Sequence, residues 1–136
     1  SEMLGTFMLV LTVCLVVATP GEGNVLGVVG IAASLIVMVY STAAVSGANL
    51  NPAVSFALLL TKNLKIKEFG FYVVAQMVGG ILAVCTAAFL QGKWLVSLVG
   101  VSGHHVAVAK GSWAAVACSE AFYTFLLVFV VLNSVV

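Results

Sequence analysis

Charge is what this chain has least of. Only 7% of its 136 residues are Asp, Glu, Lys or Arg, against about a quarter in an ordinary soluble domain. Arginine is absent, and five lysines against four acidic residues leave a net charge of +1. Without a basic patch the chain has no electrostatic footprint for nucleic acid. Cysteine is scarce as well, at three residues. Cys14, Cys85 and Cys118 each sit inside an apolar run, where a thiol acts as a small core residue, and no disulfide framework is indicated. No signal-peptide pattern is read, because no basic region precedes the first apolar segment. The chain opens in an apolar segment and closes in another, FLLVFVVLNSVV, so it is expected to be part of a longer protein.

What is present is grease. Hydrophobic residues make up 63% of the chain and the mean hydropathy is +1.28, which reads as an all-α, multi-pass integral membrane protein in a lipid bilayer. Four segments, 3–19, 25–45, 69–90 and 114–136, are expected to cross about 30 Å of hydrocarbon. A fifth apolar run, 52–61, would be roughly 15 Å long as a helix. That is half a bilayer, and runs of this length read as re-entrant rather than spanning. Irregular backbone at membrane depth survives only where it is buried or lines a wet cavity. The stretch from Ser46 to Asn51 is therefore expected to face water inside the membrane. Lys62, Lys65 and Lys67 follow the half-helix, and the positive-inside rule puts them in the cytoplasm. Trp94 and Trp113 flank the loop 92–113 and suit an outer interfacial belt, although Lys93 and Lys110 lie there too.

The re-entrant stretch reads SGANLNPAVSFALLL over residues 46–60. Pro52 suits the first helical position, where its missing N–H costs nothing. Asn51 then takes the N-cap, its side-chain oxygen accepting a backbone N–H from the first turn. That leaves the Asn51 amide nitrogen as an outward donor, beside a helix end carrying roughly half a positive elementary charge. Upstream, the carbonyls of Gly47, Ala48 and Asn49 can form a ladder of acceptors. Central donors with acceptors along the wall suit a neutral molecule that does both, such as water, while the positive helix end repels cations. Channels of this design are a standing example of that logic.

Two segments echo each other. EMLGTFMLV from Glu2 and EAFYTFLLV from Glu120 both fit E-x-x-x-T-F-x-L-V, 118 residues apart. A duplicated unit with three spans makes the repeat inverted. The expected units are 1–113, with three spans and the half-helix, and 114–136, the start of the second. Carboxylates in spans are costly and usually partnered. Glu2 and Glu120 are accordingly assigned a structural role, accepting N–H bonds from the irregular segments, with Gln76 in the same network.

These residues resemble the aquaporin and glycerol-facilitator family, the major intrinsic proteins. SGANLNPAVS resembles its first signature motif, YVVAQMVGG (72–80) its third span, and the two E-x-x-x-T segments its first and fourth spans. The likeness covers essentially the whole chain, as the first half plus the fourth span. It implies six tilted helices and two half-helices, assembled as a homotetramer with one pore per subunit. It implies no enzyme, cofactor or metal, and passage of water, with glycerol or other small neutral solutes as further candidates. By resemblance Asn51, Pro52 and Ala53 line the pore, Gly47, Ala48 and Asn49 supply its carbonyls, and Val54 stands on its wall. Glu2, Glu120 and Gln76 support the loops. Two positions depart from the family. Asn49 stands where a histidine is usual. Ile31 stands at the outer constriction, where water-selective members place an aromatic or histidine, which favours a wider filter.

Alternative readings rest on less. GVSGHH (100–105) resembles the nucleophile motif of rhomboid-type intramembrane serine proteases at Ser102, but His104 and His105 lie too near in sequence to serve as its base. Those two histidines alone do not define a metal site. A secondary transporter also uses inverted repeats and broken helices, but it usually needs charged coupling residues at the midplane. Gly27, Gly30, Ala33, Ser34, Gly79, Gly80 and Ala83 form small-residue rows suited to close helix crossing.

Overall fold

A computed structural model describes residues 1–17, 25–92 and 113–135. Five helices follow in order: α1 (Glu2–Val17), α2 (Val25–Ser46), α3 (Pro52–Leu60), α4 (Ile66–Leu90) and α5 (Trp113–Val135). Three contain a membrane-length apolar stretch, namely α2, α4 and Ala117–Ser134 within α5. The first segment, expected as a fourth span over 3–19, is a helix of 16 described residues, or about 24 Å. At nine residues, α3 reaches roughly 14 Å, a half-crossing.

Glycine and proline punctuate these elements. α2 stops where Gly47 turns left-handed (φ 80°) and donates its N–H to the Ala43 carbonyl at 2.9 Å, the usual glycine exit from a helix. Pro52 opens α3 behind the extended Asn51 (φ −150°, ψ 127°). At the other end Lys62 takes φ 63°, with Lys62 N–H bonded to the Leu59 carbonyl and Asn63 N–H to that of Leu58. This is the paired C-terminal closure in which glycine is the common residue; here a lysine fills it. α4 begins at Ile66 rather than 69. The Glu68 carboxylate accepts the Lys65 N–H at 3.2 Å, which pulls the charged turn into the helix.

α1 is the hub, packed against α4 and α2, while α3 lies on α4 and α5. The α1–α4 crossing is close because Gly79 has no side chain: a Cβ there would collide with the Met3 carbonyl. Ala83 and Ala87, one and two turns on, are fully buried. The small-residue reading therefore fits Gly79 and Ala83. It does not fit Gly30 and Gly80, whose added Cβ would meet nothing within 4 Å, nor Ala33, which is exposed. The Ser34 hydroxyl instead lies 3.2 Å from that of Thr12, a hydroxyl–hydroxyl contact that joins α1 to α2. The outward faces of α2, α4 and α5 carry exposed apolar side chains such as Leu26, Phe71 and Phe125, as a lipid-facing surface requires.

Candidate functional site

The loop between α2 and α3 bends sharply. Gly47, Ala48 and Leu50 all have positive φ, at 80°, 52° and 49°, so three of its five residues are left-handed. Such backbone cannot satisfy its own N–H groups, and buried donors need partners. Glu2 supplies them. One carboxylate oxygen accepts the Asn49 N–H at 3.0 Å and the Ser46 hydroxyl at 2.6 Å. The other accepts the Leu50 N–H at 2.8 Å and the Gln76 side-chain amide at 2.7 Å. Glu2 is 4% exposed and Gln76 2%. One acid from α1 thus anchors a loop more than 40 residues away in sequence, and an amide from α4 holds that acid. Thr6, one turn beyond Glu2, donates to the Leu50 carbonyl at 3.3 Å. The Tyr72 hydroxyl donates to the Ser46 carbonyl at 2.9 Å.

Asn51 sits at the top of α3, its side-chain oxygen accepting the Ala53 N–H at 2.8 Å. With the oxygen committed, its amide nitrogen is the donor left over. Pro52 is exposed, and Asn51 and Ala53 are half-buried. The side chain of Asn49 turns inward (6% exposed) and donates to the Ser55 hydroxyl oxygen at 3.3 Å. Among the described residues, the carbonyls of Gly47, Ala48 and Asn49 accept no hydrogen bond. Gly47 is exposed and Ala48 half-buried, which leaves their backbone within reach of a solute.

Beside the half-helix, Thr6 and Val10 of α1, Pro52, and Gln76, Gly80 and Val84 of α4 line a groove of about 480 Å³. Its walls are almost wholly apolar. The buried side-chain oxygen of Gln76 has no partner among the described residues.

The other expected positions stand as follows. Val54, expected on a pore wall, is 2% exposed and packs inward with Ser55 and Leu58. The reason is helical phase: these three residues lie on the buried side of α3, from which Ser55 reaches Gln76 of α4. Ile31 is half-buried on α2. Glu120 lies exposed on α5, apart from the loop that Glu2 and Gln76 hold. Trp94, Lys93, Lys110, Ser102, His104 and His105 lie outside the described residues, as does the side chain of Trp113. Sequence reasoning passed over Ser46, Ser55 and Tyr72 as site residues. The serine closing NPAVS was the one available signal.

Membrane-length helices interrupted by a proline-started, asparagine-capped half-helix, with its loop strapped to a buried acid, define a helical membrane protein of the re-entrant-loop class. Comparison with known proteins makes the class specific. The family described as Major intrinsic protein matches residues 1–136. A probable aquaporin PIP2-8 from Oryza sativa subsp. japonica is 32% identical over 145 residues, covering 98% of this chain and 50% of the relative. Aquaporin PIP1-6 from Zea mays is 34% identical over 146 residues, covering 98% and 47%. Aquaporin-9 from Mus musculus is 32% identical over 112 residues, covering 71% and 38%. The chain belongs to the major intrinsic protein family, and it spans about half the length of the relatives it matches. No solved structure matches it.

Proposed function

We propose that the whole protein is a passive membrane channel for water and small neutral solutes, and that this chain supplies one half of its pore wall. The observation that carries the reading is the Asn51 cap. Its oxygen is tied to Ala53 N–H at 2.8 Å, so its NH₂ group faces a passing molecule as a fixed donor next to the positive end of α3. Upstream, the carbonyls of Gly47, Ala48 and Asn49, unpaired among the described residues, serve as successive acceptors. A water whose oxygen is held by the central donor cannot relay a proton through that point, and the helix dipole opposes cations.

The relatives are named aquaporins, which supports a channel over an alternating-access transporter and over an enzyme. Residues 1–113 form the first repeat and 114–136 open an inverted second one, in which Glu120 does for a second loop what Glu2 does here. Four such subunits assemble in the bilayer, each with its own pore. Ile31 leaves the outer constriction aliphatic, which favours passage of glycerol or urea beside water.

Stopped-flow light scattering on proteoliposomes of the complete protein tests the reading, with osmotic shrinkage compared against glycerol and urea entry. Fast shrinkage with linear, bidirectional solute flux is expected. Saturable, ion-coupled uptake, or vesicles no more permeable than empty ones, would overturn it.

A further inference from the structure

We infer that Asn49 and Ser55 act together as a tether that sets the direction of the Asn51 amide, making both positioning residues for solute passage; this rests on the channel reading above. Ser55 is fully buried (0% exposed) in α3. Helical serines and threonines commonly bond back to the carbonyl four residues earlier. Thr12, Ser41, Thr42, Thr86 and Ser119 all do so here, at 2.6–3.0 Å. Ser55 behaves differently. Its oxygen accepts two amides, Asn49 Nδ2 at 3.3 Å and Gln76 Nε2 at 3.0 Å, which fills both lone pairs of a hydroxyl.

The connections close into a ring. Glu2 accepts the Asn49 N–H, Asn49 donates through its side chain to Ser55, Ser55 accepts from Gln76, and Gln76 donates back to Glu2. All four members are at most 6% exposed. The ring ties α1, the loop, α3 and α4 at one depth. Asn49 and Ser55 stand two residues before and four after Asn51, and the Ser55 N–H donates to the Asn51 carbonyl at 3.0 Å. The bond between them therefore spans the turn that carries the cap. Networks of this kind hold one geometry when complete and lose it when a member is removed. Without the tether α3 stays anchored through Gln76, but the angle at which its first turn meets the loop is no longer held.

The test uses the complete protein in proteoliposomes, with Ser55→Ala, Asn49→Ala, the double variant and Ser55→Thr. Per-channel water permeability and the thermal midpoint in detergent are both measured. Each alanine variant is expected to lower per-channel permeability by about fivefold, the factor that corresponds to one ordinary hydrogen bond. The double variant should lose no more than the worse single one, because both remove the same contact. Ser55→Thr, which keeps the hydroxyl, should recover most of the flux. If Ser55→Ala does not fold, Asn49→Ala carries the same comparison, since it leaves the Ser55–Gln76 bond in place. Parental permeability in the alanine variants, whatever their thermal midpoints, would overturn the inference, and so would losses that multiply in the double variant. If the parent itself does not conduct, the channel reading falls. The tether then stands on a shared loss of thermal midpoint and falls on an additive one.

Discussion

Removing the charge from Glu2 probes the loop more directly than any other substitution. In Glu2→Gln one oxygen survives and the other becomes an NH₂ group. Four donors converge on the native carboxylate, two on each oxygen. The amide can keep one pair, most simply Ser46 and Asn49. Its NH₂ then confronts the Leu50 N–H and the Gln76 amide, which are both donors. Hydrogen bonds to a charged group contribute about 1.5–3 kcal/mol each, so losing two costs roughly 3–6 kcal/mol. For a protein of about twice this length that corresponds to a fall in thermal midpoint on the order of 10 °C. The assay is thermal unfolding of the purified complete protein in detergent, followed by water permeability after reconstitution. Glu2→Asp keeps the charge but is one methylene shorter, and should fall between the two. A Glu2→Gln midpoint within about 2 °C of the parent, with unchanged permeability, would refute the view that this carboxylate organises the loop.

Four further outcomes are expected. Gly79→Ala drives a Cβ into the Met3 carbonyl, and should cost about 1–3 kcal/mol by overpacking, read as a lower thermal midpoint. Tyr72→Phe removes the donor to the Ser46 carbonyl, and about 1 kcal/mol with it; a midpoint equal to the parent's would contradict that contact. Asn51→Asp can still accept the Ala53 N–H, so the cap survives while the donor is replaced by a negative charge. Planar-bilayer recordings should then show cation current absent from the parent, and a silent bilayer with intact water flux would count against the proposed exclusion mechanism. If Ile31 stands at the outer constriction as proposed, Ile31→His should narrow and polarise it, lowering the ratio of glycerol to water permeability in the same vesicle assay.

Much of this was legible before any coordinates. Apolar run lengths located α2, α4 and α5, and the proline placed the start of α3 at the expected residue, with Leu60 rather than 61 as its last. The misjudged start of α4 has a local cause. Apolarity stops at the charged turn, but Glu68 caps that turn and lets the helix begin at Ile66. Glu2 and Gln76 were readable because buried polar groups in a span need partners. The partners of Ser55 and Tyr72 were not, since a serine hydroxyl can bond within its own helix, a tyrosine hydroxyl can end in water or lipid headgroups, and only the packing of α3 and α4 around the loop shows where each goes. The same holds for the small-residue rows: nothing in spacing alone separates Gly79, which touches α1, from Gly80, which faces the groove.

The loop's backbone explains why an acid belongs at this depth. Glycine at residue 47 announces a left-handed turn, but Ala48 and Leu50 adopt positive φ without that licence. Each such residue costs roughly 1–2 kcal/mol, and conformations of this kind persist only where surrounding contacts over-determine them. Two of the four Glu2 bonds go to the N–H groups of Asn49 and Leu50, inside the strained stretch. At about 1.5–3 kcal/mol per charged bond the two together outweigh the strain, and the Ser46 and Gln76 contacts fix the position further. A residue able to make its own local hydrogen bond would relax the turn and make the acid unnecessary. The chain instead spends a buried carboxylate on those N–H groups, and among the described residues the carbonyls of residues 47–49 stay uncommitted. That arrangement is wasteful for a purely structural loop. It is the one to expect if those carbonyls, and the amide of Asn51 beyond them, are reserved for molecules that pass.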